Sequence, residues 1–200
     1  AADKGGQIAH PDYIMLSAAA AQLEQNQDPD YRLAVNISGE SIQRLDVIRE
    51  LCAVISGHTF RRSRLIVEVT ESEQIHDIET ATVAVAMLRA SGISVSIDDF
   101  GAGAASFGYL RALDVDGLKF DGSFLKSPES NIRGLALMRN VARMCAELGI
   151  AAVGERVETE VERKLLIEAG VRYAQGYLFG VPCIDESFFA RGSRSMQRAA

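Results

Sequence analysis

The chain has 200 residues, of which 48% are hydrophobic, and its formal net charge at pH 7 is −6. This length and composition suffice for one sizeable hydrophobic core and argue against a disordered chain. Because the charge is negative and no basic run occurs, a nucleic-acid polymer is not an expected partner. A small phosphate ligand stays possible, since acidic sites bind phosphate through metal ions.

Several other classes of protein find no support in the residue counts. No apolar run approaches the roughly 20 residues that span a bilayer, so no membrane segment is predicted within the chain. The three cysteines are far apart and form no Cys-x-x-Cys pair, which indicates reduced thiols in a cytosolic protein. The three histidines lack metal-ligand spacing, so neither a histidine-based zinc site nor a Ser-His-Asp triad is expected.

Six short apolar segments rich in β-branched residues are predicted as strands. Helical patterns lie between them, and those over 131–149 and 159–170 end in glycines, Gly149 and Gly170, that suit a left-handed helix cap. Strand and helix alternate, which indicates a β/α protein with a parallel sheet and one domain over 1–200. The predicted strands cover 32–38, 64–71, 93–100, 116–121, 150–158 and 171–180.

Two of the helical patterns have a clear apolar stripe. One runs over 40–56. The other, over 131–149, places seven apolar residues on one side, namely Ile132, Leu135, Met138, Val141, Ala142, Cys145 and Leu148.

Side-chain parity assigns polar residues to one face of the strands. Successive side chains of a strand point to opposite faces, so Glu68 opposes Val67 and Val69, and Asp98 opposes Ile97. A (β/α)8 barrel has this arrangement, because one strand face meets the helices and the other faces the barrel axis. An open doubly wound sheet would need more continuously apolar strands. We therefore predict a TIM-like barrel of which six of the eight strands are visible.

The inward residues near the predicted barrel mouth are rich in carboxylates. Such a cluster needs cations, and one lysine cannot neutralise it. An oxygen-only ligand set favours Mg²⁺ or Mn²⁺ over zinc. The inward residues are Asn36, Glu68, Asp98, Lys119, Asp121, Glu155 and Gln175, with Asp99 starting the following loop.

This residue set suggests a specific chemistry. Two divalent ions about 3.5–4 Å apart, bridged by one carboxylate, suit in-line displacement at a phosphodiester. We expect Asp98 to bridge the ions and Asp99 to bind the second one. Glu155 would deprotonate the attacking water, and Lys119 would orient that water or stabilise the developing charge.

The same residues also have purely structural interpretations. Asp99, taken alone, is more readily a helix cap. Lys119 and Asp121, two apart on one strand face, could form only an ion pair. Glu155 and Glu158 could belong to a solvated strand end. The argument for a site is the coincidence of these residues at successive strand ends.

Six motifs in order along the chain resemble the EAL domain, a family of bacterial cyclic di-GMP phosphodiesterases and related receptors. They are "VNIS", "VEVTE", "IDDFGAG", "LKFD", "GERVET" and "QGYLFG-x-P", and the match runs from about Leu33 to Pro182. The resemblance implies a (β/α)8-type barrel that opens cyclic di-GMP to linear pGpG with Mg²⁺ or Mn²⁺.

The resemblance also implies a role for each matching residue. Glu155 matches the general base, and Lys119 matches the lysine near the attacking water. The implied metal ligands are Asn36, Glu68, Asp98 and Asp99. The implied substrate-binding or supporting residues are Asp121, Glu71, Glu158 and Gln175.

The chain departs from the family pattern at three places. The Glu-Ala-Leu motif, whose glutamate is a metal ligand, and the two early strands are absent, so we expect an N-terminally incomplete domain and an incomplete two-ion site. Ala102, Ala104 and Ala105 stand where the family loop has hydroxyl-bearing residues. Arg156 replaces the glycine that follows the base, and could pair with Glu155 or crowd the site.

These departures favour a degenerate cyclic di-GMP module, a receptor or regulatory scaffold with little or no turnover. An active phosphodiesterase is the alternative if upstream strands supply the missing glutamate, and an unrelated metal-dependent barrel enzyme is a weaker third hypothesis. We expect a homodimer or a partner protein. We also expect a cytoplasmic location in a bacterium, alone or within a larger multidomain or membrane-anchored protein. Residues 191–200 are expected to form a flexible tail.

Overall fold

The computed structural model describes residues 11–70, 75–101, 106–125, 132–182 and 197–198. Within these ranges seven strands form one sheet, and each strand lies beside the next one in the chain. The first six strands are parallel, and the seventh runs antiparallel to the sixth. The strands are β1 (Leu33–Ile37), β2 (Leu65–Thr70), β3 (Ser94–Phe100), β4 (Gly117–Phe120), β5 (Ala151–Gly154), β6 (Tyr173–Ala174) and β7 (Gln197–Arg198).

Helices alternate with the parallel strands, which confirms the predicted β/α order. Short 3-10 turns precede β2 and follow β4, at Arg62–Arg64 and Gly122–Phe124. No helix in the described ranges is long and apolar enough to cross a membrane. The helices are α1 (Pro11–Gln25), α2 (Gly39–Ile42), α3 (Leu45–Ser56), α4 (Ile78–Ala90), α5 (Ser106–Ala112), α6 (Ile132–Leu148) and α7 (Glu160–Glu168).

Strand alternation sorts side chains between the helical layer and the inward face of the sheet. On β2, Leu65, Val67 and Val69 are buried in the same apolar cluster as residues of α3 and α4. Glu68 has the opposite parity and is also buried, at 4% exposure. At β2 the inward face of the sheet therefore carries a charged group and is yet shielded from solvent, which is the setting in which charges must be paired.

The apolar pattern over 40–56 forms two helices rather than one. The break falls at Gln43 and Arg44, between α2 and α3. The side-chain oxygen of Gln43 accepts the backbone N–H groups of His76 and Asp77, each at 2.8 Å. Periodicity could not predict this break, because the Gln43 contact joins positions more than 30 residues apart in the chain.

The apolar stripe of α6 is buried only in its middle. Cys145 is fully buried, whereas Ile132 and Leu148, at the two ends, are 73% and 61% exposed. The predicted left-handed caps are confirmed, since φ is +75° at Gly149 and +82° at Gly170.

The sixth predicted strand, over 171–180, is reduced to the two residues of β6. At Gly176 φ is +151°, and a Cβ there would overlap the backbone of Val157, so the chain leaves the sheet at a position that only glycine fits. The flexible tail over 191–200 stays a prediction. Of that stretch the structure describes only the short strand β7.

The sheet has an open side at β1. Among the described residues β1 pairs with β2 and with no other strand, so the barrel is not closed there. Ala34 and Asn36, on the inward face of β1, are exposed, in contrast to the buried Glu68 beside them. Six parallel strands of the predicted barrel are thus present, and the polar face of the first one is uncovered.

Candidate active site

A β-bulge explains how two consecutive aspartates reach one site. The pairing of β3 with β4 shifts between Ile97 and Phe100, so that Asp98 and Asp99 together lie opposite Lys119. Asp99 has φ +54°, a left-handed conformation that is uncommon for a residue other than glycine. The prediction that Asp99 starts the loop was wrong, because it lies within β3.

The bulge brings three carboxylates together at the C-terminal end of the strands. One oxygen each from Asp98, Asp99 and Glu155 lies within 4.8 Å of the others. In a regular strand Asp98 and Asp99 would point to opposite faces. The β-bulge therefore places both aspartates in the same cluster.

Lys119 lies among the buried carboxylates. Its ammonium is 3.0 Å from Glu68, 3.0 Å from Asp98 and 2.8 Å from Glu155. Burial opposes the charge of Lys119, but the three carboxylates outweigh burial and raise its pKa. Lys119 is therefore a fixed cation over the accessible pH range. The ion pair with Asp121 that the structural interpretation supposed is not among the described contacts, in which Asp121 pairs with Arg156.

Burial dominates the acid–base properties of Glu68 and Glu155, two of the carboxylates that contact Lys119. It raises the pKa of Glu68 even though the lysine acts in the opposite direction. It raises the pKa of Glu155 to about 7, again against the pull of Lys119. Gln175 donates a side-chain hydrogen bond to Glu155. A carboxylate with a pKa near neutrality has the property expected of a general base.

Arg156 forms a second positive centre on the other side of the cluster. Its guanidinium is 3.4 Å from the carboxylate of Asp99 and 3.2 Å from that of Asp121. Burial and the charge of Asp98 raise the pKa of Asp99. Burial acts upward on Asp121 too, but hydrogen bonds from Ser123 together with Arg156 bring its pKa below the usual value. The sequence predicts that Arg156 either pairs with Glu155 or crowds the site. In the structure Arg156 pairs instead with Asp99 and Asp121.

The remaining predicted residues differ in how closely they approach the cluster. Asn36 pairs in register with Glu68 but is exposed at the open side of the sheet. Glu158 is exposed in the turn before α7, where its backbone N–H donates to Glu162. Among the described contacts, none joins the Glu158 carboxylate to Lys119. Glu71 lies outside the described residues, as do the loop alanines at 102, 104 and 105.

The donor set at this site fits a hard divalent ion. The three clustered groups are carboxylates, and Asn36, which pairs in register with Glu68 of β2, offers an amide carbonyl oxygen. Such oxygen ligands are those that Mg²⁺ and Mn²⁺ prefer.

The sequence did not indicate two further residues of the site. The stem of Arg156 packs over Gly122, and the backbone N–H of Ser123 donates to the Asp121 carboxylate. Neither contact could be predicted, because one involves a glycine, which has no side chain, and the other a backbone group.

Comparison with family models and with known proteins identifies one family. A family model described as the EAL domain matches residues 1–182. The chain is 32% identical over 154 residues to the cyclic di-GMP phosphodiesterase PdeF of Escherichia coli K12, covering 77% of this chain and 21% of that protein. It is 31% identical over 192 residues to the bifunctional diguanylate cyclase/cyclic di-GMP phosphodiesterase MucR of Pseudomonas aeruginosa, covering 94% of this chain and 28% of that protein. The chain thus spans about a quarter of the length of these relatives.

Solved structures show the same architecture. A cyclic di-GMP complex of the MucR phosphodiesterase superposes with a TM-score of 0.78 at 30% identity, covering 88% of this chain and 72% of that one. The EAL domain of Mycobacterium smegmatis DcpA gives a TM-score of 0.80 at 28% identity, covering 91% and 83%. The chain therefore belongs to the EAL domain family, and its parallel sheet with alternating helices is that of the family's TIM-like barrel.

Proposed function

We propose that this chain is a cyclic di-GMP module of the EAL type whose 200 residues bind the ligand with little or no turnover. The observation that carries the proposal is the largely buried cluster at the strand ends, where one carboxylate oxygen each of Asp98, Asp99 and Glu155 lies within 4.8 Å of the others. A site of this charge and depth suits a phosphodiester held through divalent cations. PdeF and MucR, by their names, act on cyclic di-GMP, and a MucR structure is a complex with it, which makes cyclic di-GMP the substrate class to test first.

The residues divide into three groups in this proposal. Asn36, Glu68, Asp98 and Asp99 would hold Mg²⁺ or Mn²⁺, and solved complexes of BlrP1 from Klebsiella pneumoniae contain cyclic di-GMP with calcium or manganese. When bound, the ions would neutralise phosphodiester charge and polarise its oxygens. Glu155 would accept a proton from water, and Lys119 would hold Glu155 and that water in position. The supporting residues would be Asp121, Glu71, Glu158 and Gln175.

Two features of the chain support low turnover. The 200 residues contain no Glu-Ala-Leu motif, whose glutamate the family resemblance makes a metal ligand. Asn36, the proposed ligand on β1, is exposed at the uncovered side of the sheet. An ion site that lacks one carboxylate and stays open to water holds its second ion weakly, which lowers the rate of a reaction that needs both ions.

Active cyclic di-GMP hydrolysis is the second candidate, and the cluster of Lys119, Glu155 and Asp98 favours it. Water would attack phosphorus while Glu155 takes its proton, and the bond from phosphorus to the ribose oxygen would break. That oxygen would take up a proton from solvent as it leaves, which gives pGpG. This candidate requires a further glutamate from strands joined to the 200 residues.

One experiment separates the two candidates. The 200 residues, and a longer chain that joins them to strands carrying the further glutamate, are each incubated with cyclic di-GMP and Mn²⁺. Formation of pGpG is followed by chromatography, and binding is measured by calorimetry with and without the metal. From the 200 residues we expect micromolar binding and no pGpG above the level of Glu155→Gln. Formation of pGpG by either chain that Glu155→Gln abolishes would establish the active candidate, whereas no binding at high micromolar ligand would refute both.

The cellular location and the oligomeric state of the domain are part of the same proposal. We expect a cytoplasmic bacterial location, and pairing with a second copy or a partner protein. Light scattering after size exclusion, at several concentrations with and without cyclic di-GMP, tests the second expectation. A monomer under all conditions would contradict self-association.

A further inference from the structure

Arg156 is a solvent-facing cation of the acidic cluster. Its side chain is 59% exposed, whereas those of Asp121 and Lys119 are 8% and 5% exposed. Lys119 is enclosed by three carboxylates, but Arg156 approaches Asp99 and Asp121 from the open side. The carboxylate of Asp99 therefore forms an ion pair with a cation that is exposed to solvent.

The position of Arg156 is built into the surrounding backbone. Its own φ is +54°, so the side chain leaves the chain in a direction that a normal strand residue does not take. The stem packs over Gly122, where an added Cβ would lie 2.8 Å from the Cβ of Arg156. Asp121 is held in turn by the backbone N–H of Ser123 at 2.9 Å. These features hold the guanidinium beside the two aspartates.

We infer that Arg156 is a tethered cation that competes with a divalent ion for Asp99 and so weakens metal binding at this site. The inference rests on the proposed function, because it takes the cluster to be a metal site. An ion held by Asp98 and Asp99 would lie beside the guanidinium, and like charges repel each other, the more so where water is partly excluded.

The direct test is Mn²⁺ binding to the protein without nucleotide, measured by calorimetry and by the loss of the free-Mn²⁺ electron paramagnetic resonance signal. We expect Arg156→Gln to bind Mn²⁺ at least about tenfold more tightly than the original chain, because one competing charge is removed. Arg143→Gln makes the same charge change on α6, where Arg143 pairs with Glu147 on the helix surface. This control should change the affinity by less than about twofold, as expected for a screened surface charge.

The same arginine substitution made in the Asp99→Asn variant distinguishes competition for Asp99 from a general effect of charge. In Asp99→Asn the aspartate for which the two cations compete is neutral, so adding Arg156→Gln should increase Mn²⁺ affinity by much less than tenfold. Equal or weaker Mn²⁺ binding in Arg156→Gln than in the original chain would overturn the inference. Absence of Mn²⁺ binding in both proteins at millimolar metal would also overturn it, since removal of the arginine then uncovers no site.

Cyclic di-GMP binding by the same proteins separates this inference from the proposed function. If no variant binds the nucleotide but Arg156→Gln gains Mn²⁺ affinity, the proposed ligand is wrong and the competition stands. If the nucleotide binds but Mn²⁺ affinity does not respond to Arg156, the competition is wrong and the proposed function stands.

Discussion

The ammonium of Lys119 lies 3.0 Å from the carboxylate of Glu68, and these two side chains are only 5% and 6% exposed. Asp98 and Glu155 contact the same ammonium. One buried cation therefore joins acids from β2, β3 and the end of β5. The cluster connects neighbouring strands as well as forming the candidate site, so its effects on stability and on function can be measured separately.

Replacement of Lys119 by methionine should destabilise the protein strongly. The three carboxylates would lose their shared buried cation, and breaking a buried ion pair from one side costs about 3–5 kcal/mol. Urea unfolding at pH 7 in EDTA measures the loss. The same measurement with millimolar Mg²⁺ in place of EDTA should recover part of the loss, because the ion supplies another cation. Lys164→Met, at an exposed position of α7, should stay within about 0.5 kcal/mol of the original chain. Similar losses in the two variants would contradict the central role of Lys119.

Glu155 should make the metal-free protein less stable as pH rises. Burial raises its pKa from 4.5 to about 7, so between these values the folded protein holds a proton that the unfolded chain releases. Folding stability therefore falls with increasing pH across this window. Glu155→Gln removes the titration, and the difference in Tm between pH 5 and pH 8 in EDTA should shrink by at least about 2–4 °C, the effect of 1 kcal/mol in a chain of this size.

The control for this pH effect is Glu50→Gln, at an exposed position of α3. It should retain the pH dependence of the original chain. If Glu155→Gln retains it as well, burial of Glu155 does not control stability in this range.

Side-chain parity was sufficient to predict the inward residues of regular strands. Alternation assigned Glu68 and Lys119 to the polar face, and the two meet there because parallel strands bring their carboxyl ends to one edge. Parity could not predict the position of Asp99, since the bulge in β3 depends on how that strand pairs with β4. A bulge is a property of two strands together, and a single segment carries little sign of it.

The sequence could not predict the partners of Arg156 or the exposure of Asn36, and the reasons differ. Arg156 turns towards Asp99 and Asp121 because its backbone is left-handed, a state that the sequence pattern of a strand does not indicate. Asn36 has the predicted parity and register, but its exposure depends on what covers β1. Local pattern therefore predicts which face a residue occupies, and longer-range contacts decide how buried it is.

The turn between Glu155 and α7 should depend on a capping box. The side chain of Thr159 accepts the N–H of Glu162 at 3.2 Å, and the Glu162 carboxylate accepts the N–H of Thr159 at 2.8 Å. Thr159→Ala should cost about 1 kcal/mol in urea unfolding. Thr159→Ser keeps the hydroxyl and should lose less than half as much. Equal losses in the two variants would indicate that packing of the threonine methyl, and not the cap, stabilises this helix start.

Gly154, the last residue of β5, should not tolerate a side chain. An added Cβ would overlap the side chain of Leu166, which is fully buried on α7 and has little room to move. Gly154→Ala should therefore cost about 1–3 kcal/mol, the usual penalty for overpacking. Gly108→Ala is the matched control, because a Cβ at this position of α5 meets open space. That change should stabilise the protein by about 0.5–1 kcal/mol.

Combining Gly154→Ala with a smaller partner tests whether Leu166 is the cause. Leu166→Val removes volume where the alanine methyl would enter, so the double variant should lose less stability than the two single variants added together. Because Gly154 directly precedes Glu155, the same series measured for Mn²⁺ binding reports whether the strand end moves with the packing. Strictly additive unfolding free energies would show that Gly154 and Leu166 act independently, and would remove the steric explanation for glycine at this strand end.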